Sequence, residues 1–379
     1  MDLLSQAFYM TEKLTNIRHQ LHLCPEIGFD LPQTRAIIRK ELERLGLNVS
    51  ECAGGLVAEI SGMTNNKTIL LRADMDALPI KETSGLPFAA LGDACHACGH
   101  DLHSTMLLGA ADLLIQNRDK LKNKIRFMFQ PAEETAQGAL SMINQGVLKN
   151  VDAAFGIHVA PKEKAGVINC TPGYKTASFD SFKISLKGKG GHGAQPQNTI
   201  DPINAAVHIY MGLQSLVSQE CEPGKLSILT IGSFHAGNIG NAIPEEAVME
   251  GTCRAEINEN RLMIKQRLCE ICEGVAGAYH SKAKIDWLAE VPPLFNNPEL
   301  TNIAVQKLIK SGIDANCETK RINASEDFAF VAQQIPTMYM NIGSGEGSEY
   351  EFGNHHPAVR YDETILPIGA AALATCAML

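Results

Sequence analysis

The chain has 379 residues, 45% of them hydrophobic and 20% charged, the proportions of a folded, water-soluble protein long enough to form two cores. A formal net charge of -9, with no block of Lys and Arg to offset it, argues against a nucleic-acid surface. Eleven cysteines without a regular framework point to free thiols in a reducing compartment, and the acidic start Met1-Asp2, with no apolar core behind it, reads as cytoplasmic rather than as a signal peptide.

In chain order, Ala7 to Leu23 and Gln33 to Leu45 carry helical apolar spacing, and strand-like runs follow them. The run Lys67 to Asp74 reads as a buried strand ending in a carboxylate, and Lys124 to Gln130 and Val151 to His158 repeat that grammar. Helical patterns over Ser104 to Asn117 and Gln137 to Gln145 separate the three strands. Strands alternating with helices predict a largely parallel sheet with ligands beyond the strands' carboxyl ends, where Glu133, Glu134 and His158 fall. From Phe179 the rhythm changes to strand, helix, strand, strand, helix, strand, ending near Leu288, the ferredoxin-like split pattern. Helices over Leu300 to Lys310 and Glu326 to Gln334, a strand over Thr337 to Ile342 and a helix over Thr364 to Met378 then complete the first domain. The fold expected is mixed α/β: residues 1–172 with 291–379 as one domain, and 173–290 inserted as a ferredoxin-like (βαββαβ) second. No membrane segment is expected, since the apolar tail from Ile365 is too short to span a bilayer and contains Pro367 and Gly369.

The densest chemical signal is Cys95-His96-Ala97-Cys98-Gly99-His100-Asp101-Leu102-His103. Haem attachment needs a histidine directly after the second cysteine, and Gly99 stands there. A thioredoxin-like dithiol lacks its usual context. A structural zinc knuckle would want a second Cys pair nearby, but Cys269 and Cys272 lie far downstream in a predicted helix. Mixed sulfur, nitrogen and oxygen ligation, joining Cys98 and His100 to the carboxylates and imidazoles at the strand ends, uses the rest of the sequence.

Four motifs in order, Cys98-Gly99-His100-Asp101, Gln130-Pro131-Ala132-Glu133-Glu134, Gly156-Ile157-His158 and His355-His356-Pro357, together with Arg18-x-x-Leu21-His22-x-x-Pro25-Glu26, resemble the M20-type metallopeptidase-fold amidohydrolases. The branch resembled contains hippurate hydrolase, N-acetyldiaminopimelate deacetylase and auxin-conjugate hydrolases. The resemblance implies two divalent metal ions (Zn, Mn or Co) held by Cys98 as bridging thiolate, His100, Glu134, His158 and His355. Glu133 would be the general base on a metal-activated water, His192 in its glycine-rich loop the oxyanion donor, and Asn241 and Arg254 the holders of the substrate carboxylate. Either Asp74 or Asp76 would steady a ligand histidine by its second ring nitrogen, and Asp101 would cap the following helix or orient His100; His96 and His103 stay outside the ligand set. The implied reaction is hydrolysis of small N-acyl-L-amino acids by a homodimer joined through the inserted domain, with dipeptidase or carboxypeptidase action and non-catalytic binding as alternatives. Val359-Arg360 stand where the family pattern has a phenylalanine, a departure that touches packing or the substrate pocket. Cys95 and Cys98 could also form a disulfide that disables the centre.

Overall fold

The computed structural model describes residues 2–318 and 324–379. Two helices, α1 (Leu3–Phe8) and α2 (Thr11–His22), replace the single helix expected over Ala7 to Leu23. The break falls at Tyr9-Met10, where the Thr11 hydroxyl donates to the Phe8 carbonyl at 2.7 Å and offers the chain a turn in place of another helical residue. Helix α3 (Pro32–Arg44) starts on a proline, whose missing N–H costs nothing in a first turn. Strands β1 (Val49–Cys52) and β2 (Gly55–Ile60) form a hairpin whose two-residue loop, Ala53-Gly54, has positive φ at both positions (47° and 80°), as a twisted ribbon demands.

The alternating part follows with β3 (Thr68–Asp74), α4 (His100–Gln116), β4 (Lys124–Gln130), α5 (Gly138–Asn144), β5 (Ala153–Ala160) and two short strands, β6 (Ile168–Asn169) and β7 (Gly173–Tyr174). The inserted segment holds β8 (Phe179–Lys187), β9 (Gly191–His192), α6 (Pro202–Glu220), β10 (Ser227–Ala236), β11 (Ala242–Ile243), β12 (Glu246–Ala255), α7 (Asn258–Ala278) and β13 (Lys282–Val291). The chain ends with β14 (Phe295–Asn296), α8 (Pro298–Lys310), β15 (Ala315–Asn316), α9 (Ala329–Ala332), β16 (Thr337–Gly343) and α10 (Ile365–Ala377).

The described residues divide into two compact units, 2–175 with 295–318 and 327–379, and 176–294 with 324–326. In the first, an eight-stranded sheet runs β1-β2-β4-β3-β5-β16-β6-β15, and its centre, β4-β3-β5-β16, is parallel. All seven residues of β3 are buried, and α4 is buried from His100 to Leu114, so both read as continuous apolar runs rather than as amphipathic patterns. Apolar α10 packs in the same core. Among the described residues no helix is long and apolar enough to cross a membrane. In the second unit the antiparallel sheet β10-β12-β8-β13 is covered by α6 and α7, the split βαββαβ arrangement.

Helix α9 keeps four residues of the helix expected over Glu326 to Gln334. Its approach is taken up by Asp327, whose carboxylate accepts from Arg72 at 3.0 Å, from the Gln130 amide at 2.7 and 2.8 Å and from the Ala139 amide at 2.9 Å. Arg72, a charge inside an apolar strand, has no solvent exposure and also donates to Gln130 at 2.9 Å and to Asp74 at 2.7 Å. A buried cation stripped of partners is expensive, and so are the carboxylates left without it. Arg72→Met is therefore expected to lower the unfolding free energy by about 3–5 kcal/mol, measured by urea denaturation; a loss below ~1 kcal/mol would show that the network is dispensable.

Candidate metal centre

The parallel strands of the first unit deliver their last residues to one edge. Beyond β3, Asp76 accepts the backbone N–H of Glu133 at 3.0 Å on one oxygen and that of Glu134 at 3.2 Å on the other. The loop carrying these glutamates follows β4 and is tightly wound: Ala132 and Ala136, on either side of the pair, have φ of 53° and 55°, a region unfavourable to alanine. A Cβ on Gly138 would lie 1.6 Å from the Pro131 carbonyl oxygen, so glycine is what lets α5 start this close to the loop.

Cys98 and His100 flank Gly99, the left-handed residue (φ 81°) from which α4 departs. His100 donates from Nδ1 to the Asp76 carbonyl at 2.9 Å, so in the neutral imidazole Nε2 is the acceptor nitrogen. That nitrogen lies 3.7 Å from Glu134 Oε1, 3.7 Å from Asp74 and 4.0 Å from Glu133. His158, at the end of β5, donates from Nδ1 to the Val159 carbonyl at 2.8 Å and turns Nε2 toward Cys98 Sγ, 3.5 Å away. His355 is held at φ 67° by donating its backbone N–H to the Ala97 carbonyl at 2.8 Å, and its Nε2 lies 3.5 Å from Glu134 Oε2. Tyr361 donates to the same Ala97 carbonyl at 2.9 Å.

The resulting donor groups interlock. Cys98, His100 and His158 form one set with ligand atoms within 4.8 Å of each other, and Cys98, Glu134 and His355 form a second that shares the thiol. His100, Glu133 and Glu134 form a third. Among the described residues, His100 Nε2 and Glu134 Oε1 are buried without a hydrogen-bond partner, two acceptors facing one another that a cation bound between them would satisfy. Burial pushes the Cys98 thiol well above its ordinary value, so its thiolate needs a cation beside it. Burial holds the His158 imidazole well below its ordinary value, which leaves it unprotonated as a ligand must be. Burial also acts to raise Asp74, but the Arg72 guanidinium beside it overrides this and keeps the carboxyl well below the usual range. The donor chemistry thus fits divalent cations of borderline softness.

Two supporting residues, Asp74 and Asp101, have partners other than those expected, whereas Asp76 does reach the second ring nitrogen of His100. Asp74 grips no ligand histidine by its second nitrogen; its Oδ1 accepts from His103 Nδ1 at 2.6 Å, and Ser104 donates to its carbonyl at 2.8 Å. Asp76 holds His100 through its main-chain carbonyl, because its carboxylate is occupied by the glutamate loop. Asp101 neither caps α4, whose N-cap is Gly99, nor accepts from His100; it pairs with Arg18 at 3.1 Å and His22 at 2.8 Å. His22 donates in turn to Glu82 at 3.2 Å, a contact hidden from sequence reading by a separation of 60 residues. In the second unit, β9 pairs with β11, setting His192 opposite Ala242 and beside Asn241, whose carbonyl accepts from Gly193 at 2.9 Å. Arg254 lies on β12 with its guanidinium 4.7 Å from the centre of the Phe179 ring.

The sequence profile of peptidase family M20/M25/M40 matches residues 70–379. The chain belongs to this family. Among M20 relatives, an N-acetyl-L-cysteine deacetylase of Bacillus subtilis (strain 168) is 38% identical, over 94% of this chain and 85% of its own. An IAA-amino acid hydrolase of Arabidopsis thaliana is 35% identical, over 96% and 86%. A solved Bacillus subtilis structure, described as a dinuclear metal-binding peptidase of the M20 family, superposes with a TM-score of 0.84 at 35% identity and 98% coverage of both chains.

Two outcomes follow for this M20 centre. Gly138→Ala forces the Pro131 carbonyl, and with it the glutamate loop, to move; an overpacking loss of ~1–3 kcal/mol is expected in urea unfolding, and an unchanged midpoint would contradict the close approach. Burial acts to lower His22, but the charges and hydrogen bonds of Asp101 and Glu82 prevail and raise it to about 9 from 6.5. A raised value contributes stability fully below pH 6.5 and loses it as pH climbs through about 9. The stability gap between wild type and His22→Gln should therefore shrink by about 3 kcal/mol between pH 6 and 10, read from unfolding curves at each pH; a gap independent of pH would show that His22 is not held as a cation.

Proposed function

We propose that the protein is a metal-dependent amidohydrolase that cleaves small N-acyl-L-amino acids to a carboxylate and a free amino acid. The observation that carries this reading is the pair of donor groups sharing Cys98, with Glu133 at their edge. Relatives named as an N-acetyl-L-cysteine deacetylase and an IAA-amino acid hydrolase support the substrate class.

Cys98 as thiolate, with His100, His158, Glu134 and His355, would hold two divalent ions, the thiolate favouring zinc or cobalt over harder metals. Bound there, the ions supply Lewis acidity that lowers the pKa of water. Glu133 takes the proton as the water attacks the amide carbonyl and passes it to the nitrogen as the C–N bond breaks. The first unit is thus the catalytic domain and the inserted unit its lid. Within the lid, Ala194 donates its backbone N–H to His192 Nδ1 at 3.1 Å, so the ring proton sits on Nε2, ready to donate to the tetrahedral oxyanion. Asn241, in the neighbouring loop, and Arg254 bind the substrate carboxylate, the guanidinium through paired hydrogen bonds.

The lid also provides a surface for a second copy of this chain. Ile203, Val207, Tyr210 and Met211 repeat at helical spacing along α6 and are all exposed, Met211 by 62%. Beside them, β10 ends its sheet as an edge strand with Ile228 and Phe234 exposed. An exposed apolar stripe next to an unpaired edge favours a homodimer. Eleven free cysteines support a reducing, cytoplasmic setting.

Glu133→Gln is expected to lower kcat on N-acetyl amino acids and hippurate by ~10²–10⁴-fold while metal content, read by elemental analysis, stays at wild-type level. Unchanged turnover would sink the mechanism, and faster cleavage of unblocked dipeptides than of their acylated forms would reassign the enzyme as a dipeptidase. Met211→Glu should convert the dimer to a monomer in light scattering; a wild type that is monomeric at micromolar concentration would exclude the α6 interface.

A further inference from the structure

His103 takes no part in the ligand set, yet it is fully buried among the ligands. Its ring centre lies 4.4 Å from that of His158 and 5.4 Å from that of His100. Both of its nitrogens are engaged. The Val159 backbone N–H donates to Nε2 at 2.9 Å; an amide can only donate, so that nitrogen carries no hydrogen. The proton is therefore on Nδ1, which donates to Asp74 at 2.6 Å. With both nitrogens taken, His103 is no metal ligand, although it stands close enough to Asp74 and His100 to be grouped with them.

The sheet explains why Val159 needs this partner. Strand β5 pairs with β3 only from Ala153 to Gly156, opposite Ile69 to Arg72, and Ala73 and Asp74 pair with β4 alone, whereas on its other side β5 pairs with β16 as far as Ala160. Past Gly156 the ladder to β3 stops, and at Val159, which continuing that register would set beyond the end of β3, the imidazole of a helix residue takes the strand's place. Val159 is also the residue whose carbonyl fixes the His158 ring.

We propose that His103 is a positioning residue: by accepting the Val159 amide it fixes the last turn of β5, and so aims His158 Nε2 at the site shared with Cys98. Asp74 serves it by keeping the ring proton on Nδ1, and Arg72, on the other oxygen of Asp74, holds that carboxylate in place. The inference rests on the reading of His158 as a metal ligand.

Asparagine and glutamine separate the two arms of the imidazole. The amide of His103→Asn reaches the position of Nδ1 and can still donate to Asp74; the longer His103→Gln reaches the position of Nε2 and can still accept from Val159. Chelator-stripped protein titrated with cobalt(II) alone, followed by calorimetry and by the thiolate-to-cobalt absorption band, tells them apart. H103N is expected to bind cobalt ~10–100-fold more weakly with an altered band, and H103Q within about threefold of wild type. Wild-type affinity in H103N, or equal losses in both variants, would overturn the positioning role. His158→Asn serves as the control: if it binds cobalt like the wild type, the ligand reading itself fails, whatever the His103 variants do. A measurement free of any substitution is amide hydrogen exchange in the stripped wild type. Val159 should exchange as slowly as Ile157 within the strand, and exchange at the rate of an open loop would overturn the proposal.

Discussion

The Asp74 carboxylate is the point on which the first unit turns. One oxygen binds Arg72, a cation with no route to water, and the other binds His103, while the residue's own carbonyl accepts from Ser104. Strand β3 is thereby tied to its own interior, to α4 and, through His103, to β5. Neither charge tolerates being alone in this core, so each strand end is held in position by a neighbour that would suffer from its departure. The arrangement makes the metal centre stiff before any ion arrives, as tight coordination geometry requires.

Interruption of regular structure creates the space for this centre. The ladder between β3 and β5 ends at Gly156, the glutamate loop bends through two left-handed alanines, and His355 adopts a left-handed backbone pinned to the loop before α4. These are locally unfavourable conformations, and they persist because buried hydrogen bonds over-determine them. The same loop accepts the Tyr361 hydroxyl, two residues beyond Val359, where the sequence leaves the family pattern. That departure lies next to a clamp on the His355 segment.

What could be read from sequence was what is local. Lys124–Gln130 forms a strand over the residues expected of it, and the strand-plus-carboxylate grammar brought Glu133, Glu134 and His158 to one edge because parallel strands share a direction. The nine-residue cluster announced metal chemistry through its composition, but composition says nothing of where each side chain points. Hence Asp101 reads as a cap for α4 or a partner of His100, when its partners are Arg18 and His22, 83 and 79 residues away. Asp327 looked like the entry to a helix and is instead drawn into the core by Arg72 and Gln130. Arg72 itself carried a legible sign, a lone charge within Ile69-Leu70-Leu71-Arg72-Ala73, but only the folded chain supplies the partners that make it tolerable.

The short ladder between β7 and β14 pairs Gly173 with Asn296 and Tyr174 with Phe295. The chain therefore leaves the first unit and returns to it through adjacent strands, so that everything between is, to that unit, a single closed loop. The cost of closing a loop rises only with the logarithm of its length, and most of that cost is already met by the ladder. Selection can then lengthen, reshape or recharge the inserted unit, where the substrate-facing residues are assigned, while the metal-holding core keeps one sequence and one geometry. A fold joined in this way can change what it cleaves without relearning how to cleave.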